Sequence, residues 1–166
     1  MQFFYFYAIN RRLVSKEKEC IVLLERLLNQ SRQDKLMYLN AADKQDLPTF
    51  KRFFNQQALY RNRMFNDLSA RLSDFGIEAE NVLLKRPDIR QLMGASPKRD
   101  KTNPFSKCLA QDQLFKEHLI ALMQLEDTAD VIRYEKLLAK IEESIETNQL
   151  YAMEVTAKSL SSPNFL

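Results

Sequence analysis

Apolar side chains recur along this chain at spacings of three and four residues, over long stretches separated by short polar breaks. This repeat places an apolar stripe on one face of a helix, so it predicts amphipathic helices rather than strands. The chain has only two glycines and five prolines in 166 residues, too few for the many turns of an all-β fold. Four helices are therefore predicted, at about residues 16–42, 47–74, 104–126 and 130–160.

Residues that start or stop helices stand at the ends of these stretches. Ser15 is predicted to cap the first helix and Asp46 the second, whose first turn contains Pro48 and needs no N–H there. Gly76 is expected to end the second helix, because glycine readily adopts the left-handed conformation that follows many helices. A turn at 127–129 is expected to join the third helix to the fourth.

The link between the second and third helices is long. Residues 87–93 predict a short helix closed by Gly94, and the Pro- and Lys-rich stretch 95–104 predicts a loop. The other two links are short, so the helices are expected to pair as two antiparallel hairpins. The pattern thus predicts an all-α, antiparallel four-helix bundle with the one-crossover topology of ferritin-like bundles. Residues 16–160 form this single domain, and 161–166 form a C-terminal tail.

Residues 1–15 are assigned to a peripheral N-terminal segment, because residues 3–7 are five consecutive aromatics. The apolar run is too short to span a bilayer, which takes about 20 residues. It also lacks the basic start and the cleavage site of a signal peptide. Three interpretations stay open: an apolar strap on the bundle, an anchor to a partner or membrane surface, or true initiation near Leu13 or Val14. The strap and the later start are favoured.

Charge is distributed unevenly around a net value of +3. Residues 85–107 carry seven Lys/Arg against two Asp, whereas residues 108–166 carry five Lys/Arg against ten Asp/Glu. Such asymmetry can steer a partner or drive head-to-tail self-association, although solvated charge on loops and helix faces is the commoner case. The basic stretch Lys98–Lys101 is modest for a nucleic-acid interface, and nucleic acid is not favoured as a partner.

Few residues offer catalytic chemistry. Cys20 and Cys108 lack the spacing of a zinc or redox motif and are expected as reduced core thiols of a cytoplasmic protein. His118 is the single histidine, has no nucleophile motif near it and is expected at the rim. Two glycines cannot supply a phosphate-binding loop or a dinucleotide motif. The sequence therefore predicts neither an enzyme nor a bound cofactor.

Polar side chains interrupt the apolar stripes midway along three helices. They are Ser31 and Lys35 in the first, Gln57 and Arg61 in the second, and Asp112 in the third. A buried charge is stable only when it is paired, so Asp112 is expected to accept hydrogen bonds from Lys35 or Arg61. Such a layer would fix the register of the helices. In the alternative, each helix is slightly rotated and these side chains lie at the rim.

A set of positions within residues 18–126 matches a known helical pattern. The positions are Leu24, Leu27, Leu28, Asn29, Tyr38, Ala41, Ala42, Phe53–Arg61, Leu68 and Gly76, with a looser match over Cys108–Gln124. Through these residues the chain resembles a bacterial ferritin-like family of unknown function, related to stress-associated small helical proteins. The resemblance implies a ferritin-like bundle whose short central helix is abbreviated in this chain.

The wider ferritin-like superfamily implies a metal pair held by two Glu residues and two Glu-x-x-His motifs. The corresponding positions of this chain hold Ser31 or Arg32, Tyr60, Arg63, Asp112, Glu143 and Glu146. A chain with one histidine cannot assemble that ligand set. The three carboxylates Asp112, Glu143 and Glu146 are left as candidates for a Mg²⁺- or Ca²⁺-type site.

Together these features predict a non-enzymatic ferritin-like bundle with an interaction or stress-associated role. Its expected partners are other copies of the chain or another protein. The alternative is a bundle that binds a metal or small ligand through the residual carboxylates. No transmembrane segment is expected.

Overall fold

The computed structural model describes the backbone of residues 2–84 and 103–161, and the side chains of residues 14–82 and 103–158. Every regular element within these ranges is an α-helix, so the predicted all-α class is confirmed for them. The helices are α1 (Gln2–Asp43), α2 (Pro48–Asp74), α3 (Ala79–Leu84), α4 (Pro104–Leu125) and α5 (Thr128–Ser161). None of the described helices is long and apolar enough to cross a membrane.

Helix α1 begins at Gln2, much earlier than the predicted start near residue 16. Ser15 is therefore not an N-cap; it lies inside the helix, where its hydroxyl donates to Glu19 Oε1 at 3.3 Å. The physical reason is that no glycine or proline stands between Gln2 and Ser15 to end a helix. The side chains of residues 1–13 lie outside the described residues, so the proposed strap and anchor stay predictions.

Helix α2 begins at Pro48, and its N-cap is Leu47 rather than the predicted Asp46. A proline at the first helical position forces the residue before it into an extended conformation, and Leu47 has φ −78° and ψ 121°. Gly76 ends the helix as predicted, with φ +74°. Its N–H donates to Ser73 O at 2.8 Å and that of Ile77 to Leu72 O at 3.3 Å, the bonding pattern of a Schellman motif.

We expect Gly76→Ala to lower the free energy of unfolding by about 1–2 kcal/mol. A Cβ at this position would meet no atom within 4 Å, so the loss reflects the left-handed backbone alone. Urea denaturation measures it. Ser73→Ala, an exposed change in the same turn, is the control and should shift stability by less than about 0.5 kcal/mol. Equal stability of the two variants would contradict this explanation of the turn.

The chain after α2 differs in detail from the prediction. Helix α3 was not predicted, yet its Ala79 and Val82 are buried in the core. The short helix predicted at 87–93 lies outside the described residues. Helix α4 begins at Pro104 as predicted, capped by Asn103, whose Oδ1 accepts from the N–H of Phe105 at 3.0 Å. Helix α5 begins about two residues earlier than predicted.

The core has two apolar clusters, one toward each end of the long helices. The leucine cluster contains Cys20, Leu24, Leu27, Leu28, Met64, Leu68, Leu72, Ala79, Val82, Phe115, Leu119, Leu122, Tyr134, Leu137 and Ile141. The aromatic cluster contains Tyr38, Ala41, Ala42, Phe50, Phe54, Ala58, Phe105 and Cys108, with Phe53 and Tyr151 packed against it. Most of these side chains lie on the predicted apolar stripes, but Ala58, Ala79, Val82 and Phe105 were not predicted.

The clusters fix the directions of the helices. Helices α1 and α5 run from the leucine cluster to the aromatic cluster, whereas α2 and α4 run the opposite way. Helix α1 packs against both α2 and α4, and α4 packs against α5. Phe54 near the start of α2 stacks on Phe105 at the start of α4, with ring centroids 4.6 Å apart. Helix α2 therefore ends at the leucine cluster, whereas α4 begins at the aromatic cluster.

Candidate functional site

A layer of buried polar side chains separates the leucine cluster from the aromatic cluster. We call it the polar layer, and its residues are Ser31, Asp34, Tyr38, Gln57, Arg61, Asp112, Ser144 and Asn148. Tyr38 belongs to both groups, because its ring packs in the aromatic cluster and its hydroxyl bonds to Asp112. Each one continues the spacing of three or four residues that places its helix's apolar stripe inward. The polar layer therefore brings side chains of α1, α2, α4 and α5 together in the interior.

The centre of the polar layer is an ion pair between Arg61 on α2 and Asp112 on α4. Both side chains have no exposed surface, and Arg61 Nη2 donates to Asp112 Oδ1. Burial by itself would lower the pKa of the guanidinium, but the facing Asp112 carboxylate raises it above its ordinary value. Arg61 therefore stays charged. Its Nη1 donates to the sulfur of Met64 at 3.7 Å.

The second oxygen of Asp112, Oδ2, accepts hydrogen bonds from three more side chains of the layer. Tyr38 donates its hydroxyl to Oδ2 at 2.6 Å, Ser144 donates at 2.6 Å, and Asn148 Nδ2 donates at 3.2 Å. Burial and the Asp112 carboxylate raise the pKa of Tyr38 well above its ordinary value, so its hydroxyl keeps its proton. One carboxylate thus connects four helices, and both of its oxygens are occupied by hydrogen bonds.

Asp34 is a buried member of the layer whose carboxyl group is not fully hydrogen-bonded. Its side chain is 1% exposed, and Oδ2 has no hydrogen-bond partner among the described residues. Burial raises the pKa of this carboxyl from 3.8 to about 7; nearby Arg61 opposes the change and Asp112 adds to it. Asp34 therefore exchanges a proton near neutral pH. Gln57 Oε1, Arg61 Nε and Asn148 Oδ1 also have no partner among the described residues.

Four of the five residues that the sequence predicted for a buried layer lie in the polar layer, and the fifth does not. Ser31, Gln57, Arg61 and Asp112 lie in the polar layer, where the Ser31 hydroxyl donates to Leu27 O at 2.9 Å. Lys35 does not. Its Nζ donates to Asn62 Oδ1 at 2.8 Å in the groove between α1 and α2, so Arg61 is the cationic partner of Asp112. The prediction that Lys35 lies in the buried layer is wrong, because Asp34, one residue earlier, points inward instead.

Sequence reasoning missed Asp34, Ser144, Asn148 and the role of the Tyr38 hydroxyl. The signal was present, because residues 31, 34 and 38 are spaced by three and four, as are 141, 144 and 148. The same stripes also continue through Lys35 and Ile145 at equally good spacing. Only the rotation of each helix against its neighbours decides between the two sets.

The carboxylates proposed for a metal do not converge. Glu143 and Glu146 are exposed on α5, and Glu143 accepts from Lys140 at 2.7 Å, whereas Asp112 is enclosed. Across the described ranges, no group of three or more His, Cys, Asp or Glu side chains could hold a metal ion. The Arg61 guanidinium also occupies the layer in which a metal pair would need anionic ligands. The residues present do not fit a carboxylate-bridged metal centre.

The other positions compared with metal ligands lie away from the layer. On α2, Tyr60 is half-buried and Arg63 is exposed, with the guanidinium 5.9 Å from the ring centroid of Tyr60. His118 is half-buried, and its Nδ1 lies 3.1 Å from Gln30 Oε1. Burial and nearby Arg26 lower the pKa of His118, so the imidazole is neutral at pH 7. It forms a polar contact between α1 and α4 at the edge of the core.

A second charged cluster connects the end of α2 to the turn between α4 and α5. Arg71 donates to both oxygens of Glu126, from Nε at 3.1 Å and from Nη2 at 2.8 Å. It also pairs with Asp130 at 3.2 Å and lies over the ring of Phe75, 4.5 Å from the centroid. Tyr134 donates its hydroxyl to Glu126 Oε1 at 3.2 Å. This cluster connects α2 to the α4–α5 turn and to α5, at the end of the helices where the leucine cluster lies.

We expect Arg71→Lys to lower the free energy of unfolding by about 1–2 kcal/mol, because lysine keeps the charge but cannot bond both oxygens of Glu126. Arg63→Lys, at an exposed site on the same helix, is the matched control and should change stability little. Urea denaturation of both variants at neutral pH tests this. If the two variants are equally stable, the two-oxygen contact does not stabilise the fold.

Comparison of this chain with protein-family models, with curated proteins and with solved structures gives no match in any of the three searches.

Proposed function

We propose that this chain is a non-enzymatic, antiparallel four-helix bundle of ferritin-like topology that works as an interaction protein. In such bundles one long crossover joins two hairpins. Two features support this topology: α1 and α5 run opposite to α2 and α4, and a long stretch of sequence connects α2 to α4. The proposal extends the resemblance of residues 18–126 to a ferritin-like family.

One observation carries the non-enzymatic part of the proposal: the only fully buried carboxylate–guanidinium pair of the described residues, Arg61–Asp112, fills the interior layer. All strong donors around Asp112 are committed to it, which leaves the carboxylate neither a free base nor a metal ligand. Burying a paired charge rather than apolar side chains stabilises a fold little, but it favours one register and one set of helix neighbours. A structural role for the layer follows.

The thiols agree with this proposal. Burial raises the pKa of Cys20 and of Cys108 above the ordinary value, and the Asp112 carboxylate adds to the effect at Cys108. Both therefore stay protonated at neutral pH, and a protonated thiol is a poor nucleophile. In the part of the chain that the structure describes, both cysteines are free and buried.

Surface side chains support a role in association. Leu150 and Met153 are 59% and 63% exposed and stand three residues apart on α5, so they share one face. Leu36 and Leu39 repeat this arrangement on α1. Neighbouring exposed apolar side chains mark association surfaces more often than single ones do. We propose self-association through such a face, with a different protein as the alternative partner.

Light scattering after size exclusion, over a wide range of protein concentration, tests this function. The proposal predicts a mass that rises above that of the monomer. Leu150→Ser/Met153→Ser should shift the rise to higher concentration, while Ile132→Ser, at a single exposed apolar site on the same helix, should not. A monomer at every concentration would contradict self-association. Elemental analysis of the same sample addresses the alternative of a metal-binding bundle.

A further inference from the structure

A cleft of about 280 Å³ lies between α1 and α2, beside the polar layer. Its lining residues are Ser31, Arg32, Lys35, Arg61, Asn62 and Phe65. Three of these side chains are cations and none is an acid. Both acids of the polar layer are absent from the lining. Asp112 neutralises Arg61, so Arg32 and Lys35 are the two side chains that make the cleft electropositive.

The cations at the mouth of the cleft have unused donors. Lys35 Nζ commits one hydrogen to Asn62 Oδ1 at 2.8 Å, which leaves the rest of the ammonium available. The same bond orients the Asn62 amide so that its Nδ2 can also donate. Arg32 is exposed and forms no ion pair with a described residue. Several positive or polar donors thus converge on one small volume.

Arg61 supplies a second and independent observation. Its side chain has no exposed surface, yet its Nε–H has no partner among the described residues. A buried donor left unpaired destabilises the fold. Arg61 borders the cleft, and a small shift of the side chains that cover Nε would let an acceptor atom bound there pair with it and remove that destabilisation. Because Asp112 already neutralises the guanidinium, Arg61 offers an N–H donor here rather than a free charge.

We propose that this cleft binds a small oxyanion, a carboxylate or phosphate group, held by Lys35, Arg32, Asn62 and the Nε–H of Arg61. The ring of Phe65 provides an apolar wall for the non-polar part of an organic acid. Asp112 does not oppose the anion because it is paired, and Asp34 does not line the cleft. The inference goes beyond the proposed interaction function and does not depend on it.

Calorimetric titration of the full chain with sodium acetate and, separately, with inorganic phosphate tests the site. Ionic strength is held constant with sodium chloride, and acetamide serves as the neutral analogue of acetate. We expect saturable binding of at least one anion and none of acetamide. The tighter of the two anions assigns the ligand class, and equal binding assigns a site for either group.

Lys35→Met should weaken this binding about 10-fold or more, which corresponds to losing a charge-assisted hydrogen bond. Lys136→Met, an exposed lysine on α5, removes the same charge elsewhere and should weaken it less than about 2-fold. Lys35→Arg should retain most of the affinity, and a thermal melt of each variant confirms folding. Absence of saturable binding to the wild type, or equal losses in the two methionine variants, would overturn the proposal.

Discussion

Asp112→Ala is expected to lower the free energy of unfolding by about 3–5 kcal/mol. The change leaves the Arg61 guanidinium charged and enclosed without its anion. It also removes the carboxylate oxygen that accepts from Tyr38, Ser144 and Asn148. Removing one partner of a buried ion pair is costly because the remaining charge has neither water nor a counterion. The loss therefore exceeds that of an ordinary polar substitution.

Urea denaturation followed by circular dichroism measures this loss. Glu117→Ala is the matched control, because it removes a carboxylate from an exposed position on the same helix. It should change stability by less than about 0.5 kcal/mol. An unchanged midpoint for Asp112→Ala would show that the ion pair does not support the fold.

The second large effect is a loss of stability as the pH rises toward neutrality, caused by Asp34. Its carboxyl has an ordinary pKa of 3.8 in the unfolded chain and a pKa of about 7 in the fold. Between these values the folded state binds more protons than the unfolded state, so stability falls with increasing pH. The Asp34 contribution is complete below about pH 4, is lost through pH 7, and totals on the order of 4 kcal/mol.

Asp34→Asn isolates this contribution from other titrating groups. Asparagine has nearly the same shape but no carboxyl group that titrates. The variant should therefore lack the Asp34 part of the decline in stability between pH 4 and 7. The free energy of unfolding is measured by urea at several pH values for wild type and variant. Asp43→Asn, at an exposed site on the same helix, should follow the wild type. Parallel pH profiles for wild type and Asp34→Asn would exclude Asp34 as the source.

Much of the fold follows from local features of the sequence. The spacing of Leu24, Leu27 and Leu28 predicts an inward face without knowledge of any neighbour, and these three side chains are fully buried. Pro48 and Gly76 set the ends of α2 through backbone geometry alone. The predicted start of α1 was wrong. A serine caps a helix only where the chain before it is not helical, and nothing before Ser15 interrupts the helix.

The polar layer was predictable only in part. Arg61 and Asp112 interrupt apolar stripes, and a buried charge must find a partner, so their pairing could be anticipated as one of two alternatives. The choice of Asp34 over Lys35, and of Ser144 over Ile145, depends on helix rotations of a fraction of a turn. Packing of the leucine cluster and the aromatic cluster sets those rotations, and no single stretch of sequence contains that information.

A double-mutant cycle on Arg61 and Asp112 measures whether the two side chains act as a buried ion pair. Arg61→Met and Asp112→Leu should each lower the free energy of unfolding by about 3–5 kcal/mol, because each leaves one buried charge alone. The combined variant replaces the pair with apolar side chains and should lie within about 1–2 kcal/mol of the wild type, which gives strong coupling. If the two losses simply add, the residues do not act as a buried pair and the account of the polar layer is wrong.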